Sequence, residues 1–204
     1  MNFYINGVYD SQTLETIKVL GIINIGLDLR PLSLNLITFS EIKKILPSIS
    51  NSKTTLIFEN DAQSTIDSFL DLIGKKDIGL QFRDQRSANF YRQFNRPIEW
   101  MFHPSGDWNE ILLLDNLQGV ILPLEWKAFY QNNPSFWHLI EKRRLQVHIY
   151  ASSLKQANSV ENHDNLSLAL DLGPDFSDSY RKINQDKLRK LKVWNHRNET
   201  LTGQ

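Results

Sequence analysis

The chain has 204 residues, and its 23 lysines and arginines balance its 23 aspartates and glutamates, so the formal net charge is zero. This length fits one domain with a sizeable core, and we expect a single domain over residues 1–204. A neutral chain gives no electrostatic reason to expect a nucleic-acid partner. The sequence contains no cysteine, which excludes a disulfide framework, a thiolate nucleophile and a cysteine-based metal site.

The first ten residues, MNFYINGVYD, lack the basic region and the long apolar stretch of a signal peptide. No apolar run in the chain approaches the roughly 20 residues that a membrane span needs. We therefore expect a cytoplasmic protein with no membrane partner.

Short apolar runs alternate with amphipathic stretches along the first half of the chain. The apolar runs predict strands at 2–6, 22–29, 54–59 and 77–82. A helical pattern follows each strand, at 11–20, 40–46, 61–73 and 85–94. Asp61 is a candidate N-cap of the third helix, and Gly74 stands after its end, where glycine is favoured.

The second half of the chain repeats this alternation. Strands are predicted at 98–102, 119–124, 145–150 and 166–172. Helices are predicted at 109–115, 126–142, 153–160 and 179–194, and Pro134 is expected to begin a second segment within the long helical stretch. Eight strand–helix units imply a parallel sheet that closes on itself, so the predicted fold class is α/β, a single (β/α)8 TIM barrel.

The residue pattern within the strands also favours a barrel. In the last strand, leucines occupy every second position of 166–172, and Ser167, Ala169 and Asp171 lie between them. Successive side chains of a strand point to opposite faces. One face is therefore apolar, as a surrounding helix layer requires, and the other is small or polar, as a narrow barrel interior requires.

Five short segments carry a resemblance to a known family. They are residues 4–7 (YING), 26–37 (GLDLRPLSLNLI), 57–60 (IFEN), 81–84 (QFRD) and 170–175 (LDLGPD). Together they resemble the phosphoribosylanthranilate isomerase family, which reads roughly K-I-C-G at the first segment and shares the Gly, Pro and Ser of its G-x-x-F-x-P-x-S-P-R-x-V segment with residues 26–37. Residues 57–60 (IFEN) match its V-F-x-N pattern, 81–84 (QFRD) keep the Gln of Q-L-H-G, and 170–175 (LDLGPD) keep the Asp of V-D-V-S-S-G. The resemblance spans the whole chain and implies a TIM barrel of the tryptophan pathway that performs an Amadori rearrangement.

The residues that the family uses for chemistry are changed. Asn6 replaces the cysteine that serves as general base, and a carboxamide does not titrate near neutral pH. Pro123 stands where the resemblance implies the general acid, with Glu125 two residues further on, and Asn35 replaces an arginine that anchors the substrate.

The phosphate site that the resemblance implies is altered as well. The family binds phosphate with backbone N–H groups of a Gly-Gly turn after the seventh strand and a Ser-Gly turn after the eighth. Here the first turn holds Ser152 and Ser153, which retain N–H groups and add hydroxyls. The second holds Pro174, which has no N–H group to donate.

Polar residues at the C-terminal ends of the strands are the candidate ligand-binding residues, because TIM-barrel active sites lie at that face. The inward-facing set, to which Ser152 and Ser153 are added, is Asn6, Asp28, Arg30, Asn60, Gln81, Arg83, His103, Tyr150 and Asp171. One hypothesis makes them a pocket for a small anionic or phosphorylated molecule. The other makes Asp28, Arg30, Arg83 and Asp171 an ion-pair network that fills the mouth.

Candidate catalytic residues are Asp171, Glu125 and His103, which could supply acid–base groups. His148 lies mid-strand and is interpreted as an interior histidine. The five histidines show no H-x-x-x-H spacing, so we expect no metal site and no cofactor.

Three functional hypotheses follow, each for a monomer or a homodimer. The first is a pseudoenzyme, an isomerase-like barrel without the ancestral activity that binds a small anion or acts through a partner. The second is an active phosphoribosylanthranilate isomerase with a rebuilt site. The third is a structural or interaction barrel with a filled mouth.

Overall fold

The computed structural model describes residues 2–49, 52–104, 106–160 and 166–191. Its parallel strands form a closed barrel in chain order, β1 to β8, which confirms the predicted (β/α)8 fold. The strands are β1 (Asn2–Asn6), β2 (Asn24–Asp28), β3 (Lys53–Phe58), β4 (Ile78–Phe82), β5 (Ile98–Met101), β6 (Leu117–Leu122), β7 (Gln146–Ala151) and β8 (Leu166–Asp171).

Helices follow the strands and cover the outside of the barrel. They are α1 (Ser11–Val19), α2 (Phe39–Ile45), α3 (Gln63–Ile73), α4 (Ala88–Arg92), α5 (Trp108–Leu112), α6 (Trp126–Asn132), α7 (Pro134–Arg143) and α8 (Leu154–Ala157). Pro134 is the first residue of α7, as predicted. Short 3-10 helices cover Leu46–Ile49 and Pro174–Phe176.

The start of α3 differs from the prediction. Asp61 does not cap the helix, because its carboxylate accepts a hydrogen bond from the Glu59 backbone N–H at 2.9 Å. The helix begins two residues later, and Ala62 stands at the cap position without a side-chain hydrogen bond.

The segment after β8 differs more. A short antiparallel hairpin, β9 (Ser177–Ser179) with β10 (Lys182–Ile183), stands where the last predicted helix was to begin. Arg181 has a left-handed φ of 53° in its turn, which no helix accommodates. Helical structure resumes over 185–191, where the Asn184 side chain accepts from the Lys187 N–H at 3.0 Å, and residues 192–194 of that prediction lie outside the described residues.

The two faces of the strands divide as the sequence pattern predicts. The leucines of β8 are buried in the main core between strands and helices. Tyr4, Ile121 and Ala169 form a small apolar cluster of their own inside the barrel. Within the described part of the chain, no helix combines the length and the apolarity needed to cross a membrane.

Gly26 leaves room for a polar side chain inside the barrel. A Cβ atom at this position would lie 2.4 Å from Asn6 Oδ1 and 2.7 Å from Ile57 Cδ1. Glycine on β2 therefore allows Asn6 to point inward at the end of β1.

We predict that Gly26→Ala destabilises the protein by about 1–3 kcal/mol, because the added methyl group overpacks the barrel interior. Chemical denaturation measures the change in the free energy of unfolding. Gly173→Ala is the matched control, since its nearest atoms would lie at 3.9 and 4.0 Å. Equal stability of the two variants would contradict the prediction.

Candidate functional site at the barrel mouth

Strands that are far apart in the sequence end close together at the C-terminal face of the barrel. Asn6 ends β1 and is paired in register with Asp171, which ends β8. Asp28 ends β2, and Arg83 directly follows β4. We call Asn6, Asp28, Arg30, Arg83, Tyr150 and Asp171 the mouth network.

Asp171 is the centre of the mouth network. Arg83 binds it through both terminal nitrogens, Nη1 to Oδ2 at 2.7 Å and Nη2 to Oδ1 at 2.5 Å. Tyr150 donates its hydroxyl to Oδ2 at 2.9 Å, and the Asn6 amide donates to Oδ1 at 3.0 Å. Arg30 Nη2 lies 3.3 Å from Oδ2. Both carboxylate oxygens are therefore fully engaged by protein donors.

Asp28 and Arg30 form a second pair beside the first. Arg30 donates Nε to Asp28 Oδ1 at 2.8 Å and Nη2 to Oδ2 at 2.6 Å. Ser33 donates its hydroxyl to Oδ2 at 2.7 Å. Arg30 links the two carboxylates, because its Nη2 also reaches Asp171.

The ionised forms of these groups are favoured by their neighbours. Burial alone would raise the pKa of Asp171, but Arg83 and Arg30 lower it to about 2. Burial alone would lower the pKa of Arg83, and the charge and hydrogen bonds of Asp171 raise it instead. Asp28 and Asp171 likewise raise the pKa of Arg30 against the effect of burial. Asp171 is thus held as a carboxylate at every physiological pH.

Two other candidate residues lie next to the network. Gln81 is fully buried, and neither atom of its amide has a hydrogen-bond partner among the described residues. His103 donates Nε2 to the backbone carbonyl of Arg83 at 3.0 Å. His103 therefore contacts the backbone that carries Arg83 rather than a side chain of the network.

Two further candidates lie away from it. Asn60 was expected to face inward, but it is exposed in a turn with a left-handed φ of 60°. Glu125 is exposed beyond the end of β6, directly before α6. Neither residue is brought to Asp171.

Solved structures with this architecture include several phosphoribosylanthranilate isomerases. The enzyme from Thermus thermophilus is 16% identical over 95% of this chain and 97% of its own, with a TM-score of 0.65. The enzyme from Thermotoga maritima is 12% identical over 97% of this chain and 100% of its own, with the same TM-score of 0.65. The chain has the fold of a phosphoribosylanthranilate isomerase.

Other enzymes share the architecture too. An HpcH/HpaI aldolase from Desulfitobacterium hafniense is 10% identical over 100% of this chain and 94% of its own, with a TM-score of 0.61. No family model and no curated protein matches the sequence. The likeness to the isomerases therefore concerns the fold, and the site must be judged from its own residues.

The resemblance aligns two turns of this chain with the phosphate site of the isomerases. The N–H and hydroxyl groups of these turns form hydrogen bonds with other residues of the chain itself. The Ser152 N–H and hydroxyl donate to Gln156 Oε1 at 2.8 and 2.7 Å. Ser153 caps α8 by accepting from the Gln156 N–H at 3.2 Å. The Leu154 N–H donates to Asp175 Oδ2 at 3.0 Å, so a carboxylate of the chain itself occupies this turn.

A small pocket remains beside the mouth network. It has a volume of about 190 Å³, and Asp28, Arg30, Glu59 and Asp171 supply its charged groups. Asn35, which replaces the family's anchoring arginine, also lines it, and its amide donates to the Leu172 backbone carbonyl. Its walls thus carry three carboxylates against one guanidinium. Among the described residues, no three histidines, aspartates or glutamates converge as a metal site would require.

The sequence did not point to all of these contacts. Ser33, Glu59 and Asp175 were not among the predicted site residues, although each binds a charged or backbone group at the mouth. Ser33 and Glu59 lie in loops, and Asp175 lies in the short 3-10 helix Pro174–Phe176, so the alternation of strand side chains does not predict where they point. For these three residues the sequence offered one indication of a site role, which is that Ser33 stands in register with the serine of the isomerase motif.

We predict that Asp171→Asn lowers the free energy of unfolding by about 3–5 kcal/mol, because it leaves the buried Arg83 guanidinium without a counter-charge. Urea denaturation of the purified protein measures the change. Asp186→Asn is the control, since Asp186 forms a surface pair with Arg189 and its side chain is 85% exposed. The control is expected to change stability by less than about 0.5 kcal/mol. A loss below about 1 kcal/mol for Asp171→Asn would contradict the role of the pair.

Proposed function

We propose that this chain is a diverged relative of the phosphoribosylanthranilate isomerases that no longer catalyses their reaction. Its mouth network occupies the place of a substrate, and the protein acts as an interaction barrel. The observation that carries this proposal is the complete engagement of the Asp171 carboxylate by Arg83, Arg30, Tyr150 and Asn6.

The state of Asp171 argues against acid–base chemistry. A general acid or base works best when its pKa lies near the working pH. The pKa of Asp171 is about 2, so the carboxylate does not take up a proton near neutral pH. Its oxygens would also have to leave Arg83 before they could reach a substrate.

The other positions named by the resemblance offer no replacement. Asn6 is buried, and its amide group donates to Asp171. Pro123 has no titratable group, and Glu125 is exposed beyond the end of β6. The candidate base and the candidate acid are therefore not opposed across a common pocket.

The charge of the pocket beside the mouth network disfavours an anionic ligand there. Asp28, Glu59 and Asp171 face it, and Arg30 already binds two of these carboxylates. The turn that would hold a phosphate carries the Asp175 carboxylate. Of the two hypotheses for the charged mouth, the closed ion-pair network is therefore favoured over the small-anion pocket.

Three expectations complete the proposal. The protein acts without a cofactor, works in the cytoplasm, and is a monomer or a homodimer. The absence of net charge supports a protein partner over a nucleic acid.

The test is turnover of phosphoribosylanthranilate by the purified protein, followed by the loss of substrate fluorescence. We expect the rate to equal that of a buffer control, and we expect no growth of a tryptophan-auxotrophic host that carries the gene. The Thermus thermophilus isomerase, assayed in parallel, establishes that substrate and assay are sound.

Turnover above the buffer rate would contradict the proposal and support an active isomerase with a rebuilt site. Loss of that turnover in Asp171→Asn or Glu125→Gln would then identify the catalytic group. A second arm measures the melting temperature with inorganic phosphate at millimolar concentration, which a specific anion site would raise. We expect no rise.

A further inference from the structure

A second group of ionisable side chains lies inside the barrel below the mouth network. Glu99 on β5 and His148 on β7 are each 3% exposed. Glu99 Oε1 lies 3.8 Å from His148 Nε2, which is too long for a hydrogen bond. Neither the carboxyl oxygens nor the ring nitrogens have a hydrogen-bond partner among the described residues.

The neighbouring strands leave space for Glu99 and His148 inside the barrel. Gly119 lies on β6 between the two strands, and a Cβ atom there would stand 3.3 Å from His148 Nε2 and 3.4 Å from Glu99 Cγ. A glycine at this position therefore leaves the two side chains room to approach each other. Tyr4 closes the other side, with its ring in edge contact with the imidazole at 5.3 Å between centroids.

Few charged groups face the pair. From β3, Lys53 Nζ lies 4.0 Å from Glu99 Oε1, but it donates its hydrogen bond to Gln146 Oε1 at 2.8 Å. From β1, the Tyr4 hydroxyl is hydrogen-bonded to Thr55, and it also faces Glu99, whose pKa it lowers. From β4, Gln81 is uncharged, and the Arg83 guanidinium is bound to Asp171. Among the described residues, no charged group therefore lies at hydrogen-bond distance from Glu99 or His148 to compensate a charge on either side chain.

We propose that Glu99 and His148 form a proton-holding pair inside the barrel, which keeps a single proton on the carboxyl group from mildly acidic to neutral pH. A charge without a partner is expensive inside a protein, so both side chains favour their neutral forms. Neutral glutamic acid carries the proton, and neutral histidine carries none beyond its own N–H.

The pKa values agree with this arrangement. Burial raises the pKa of Glu99 from 4.5 to about 7, against a lowering by Lys53 and Tyr4. Burial lowers the pKa of His148 from 6.5 to about 4, and Lys53 lowers it further. In the unfolded chain between pH 4.5 and 6.5 the single proton is on the histidine, and in the folded chain it is on the glutamate.

The two residues therefore have opposite effects on stability. The contribution of Glu99 is fully present below pH 4.5 and is lost as the pH rises through about 7. The contribution of His148 is present above pH 6.5 and is lost as the pH falls through about 4. Between pH 4.5 and 6.5 the pH dependences of the two contributions cancel, because folding moves the proton from His148 to Glu99 without net uptake or release.

The test measures the unfolding equilibrium constant by urea denaturation between pH 4 and 8 for the wild type, Glu99→Gln and His148→Gln. Relative to the wild type, the constant of Glu99→Gln is expected to fall as the pH rises from 4.5 to 7, by up to about tenfold per pH unit. The unfolding constant of His148→Gln relative to the wild type is expected to rise between pH 4 and 6.5 by a similar factor per pH unit. Glu125→Gln and His138→Gln, both at exposed positions, are the matched controls and are expected to give flat ratios.

Flat ratios for the two interior variants would overturn the proposal, and so would slopes of the same sign. If a variant does not fold, titration of the wild type by NMR decides the question. We expect the His148 ring to stay neutral down to a pH of about 4. We also expect an infrared band of a protonated carboxyl group at pH 6. This band should be absent in a folded Glu99 variant and should disappear when the wild type is titrated above pH 8. A His148 ring that titrates near pH 6.5 would contradict the pair.

Discussion

The bidentate ion pair between Arg83 and Asp171 is the interaction on which the barrel mouth depends. A guanidinium buried in a barrel costs several kcal/mol unless a carboxylate faces it, so Arg83 fixes the position of Asp171. Asp171 in turn orders Asn6, Tyr150 and Arg30, which all donate to its oxygens. Since β1 and β8 are the first and last strands, the contact of Asn6 with Asp171 also lies across the seam where the sheet closes.

Two clusters of ionisable side chains lie inside the barrel, and they compensate the cost of burial in opposite ways. At the mouth, Arg83 and Asp171 stay charged because each finds its counter-charge at hydrogen-bond distance. Deeper in the barrel, Glu99 and His148 have no such partner in the described part of the chain, and they favour neutral forms. In the function that we propose, neither cluster takes part in isomerase chemistry, because the pKa of Asp171 is about 2 and Glu99 is buried. The fold of an isomerase is thus compatible with an interior built for packing and charge balance.

The sequence predicted the fold well because a barrel is encoded by a repeated pattern. Alternation within strands predicted that Asn6, Asp28, Gln81 and Asp171 share one face; in the structure Asn6, Asp28 and Gln81 are buried, and the Asn6 amide donates to Asp171. Alternation ends where a strand ends, so it misplaced Asn60, whose left-handed turn points it to solvent. The β9–β10 hairpin and the contact of Asp175 with α8 depend on the local backbone geometry of the segment after β8, which the alternation within strands does not predict. The sequence offered an ion-pair network at the mouth as a hypothesis, but choosing between this network and an open pocket requires the distances between the side chains.

The most direct test is the ionisation of Asp171 in the folded wild-type protein, measured by NMR titration of its side-chain carboxyl carbon. If Arg83 and its neighbours hold the carboxylate as described, the resonance will titrate with a pKa of about 2. A pKa at or above the ordinary value of 3.8 would mean that Asp171 is not held by the network. The carboxyl group would then be free for acid–base work, and the account of a closed, inactive mouth would be wrong.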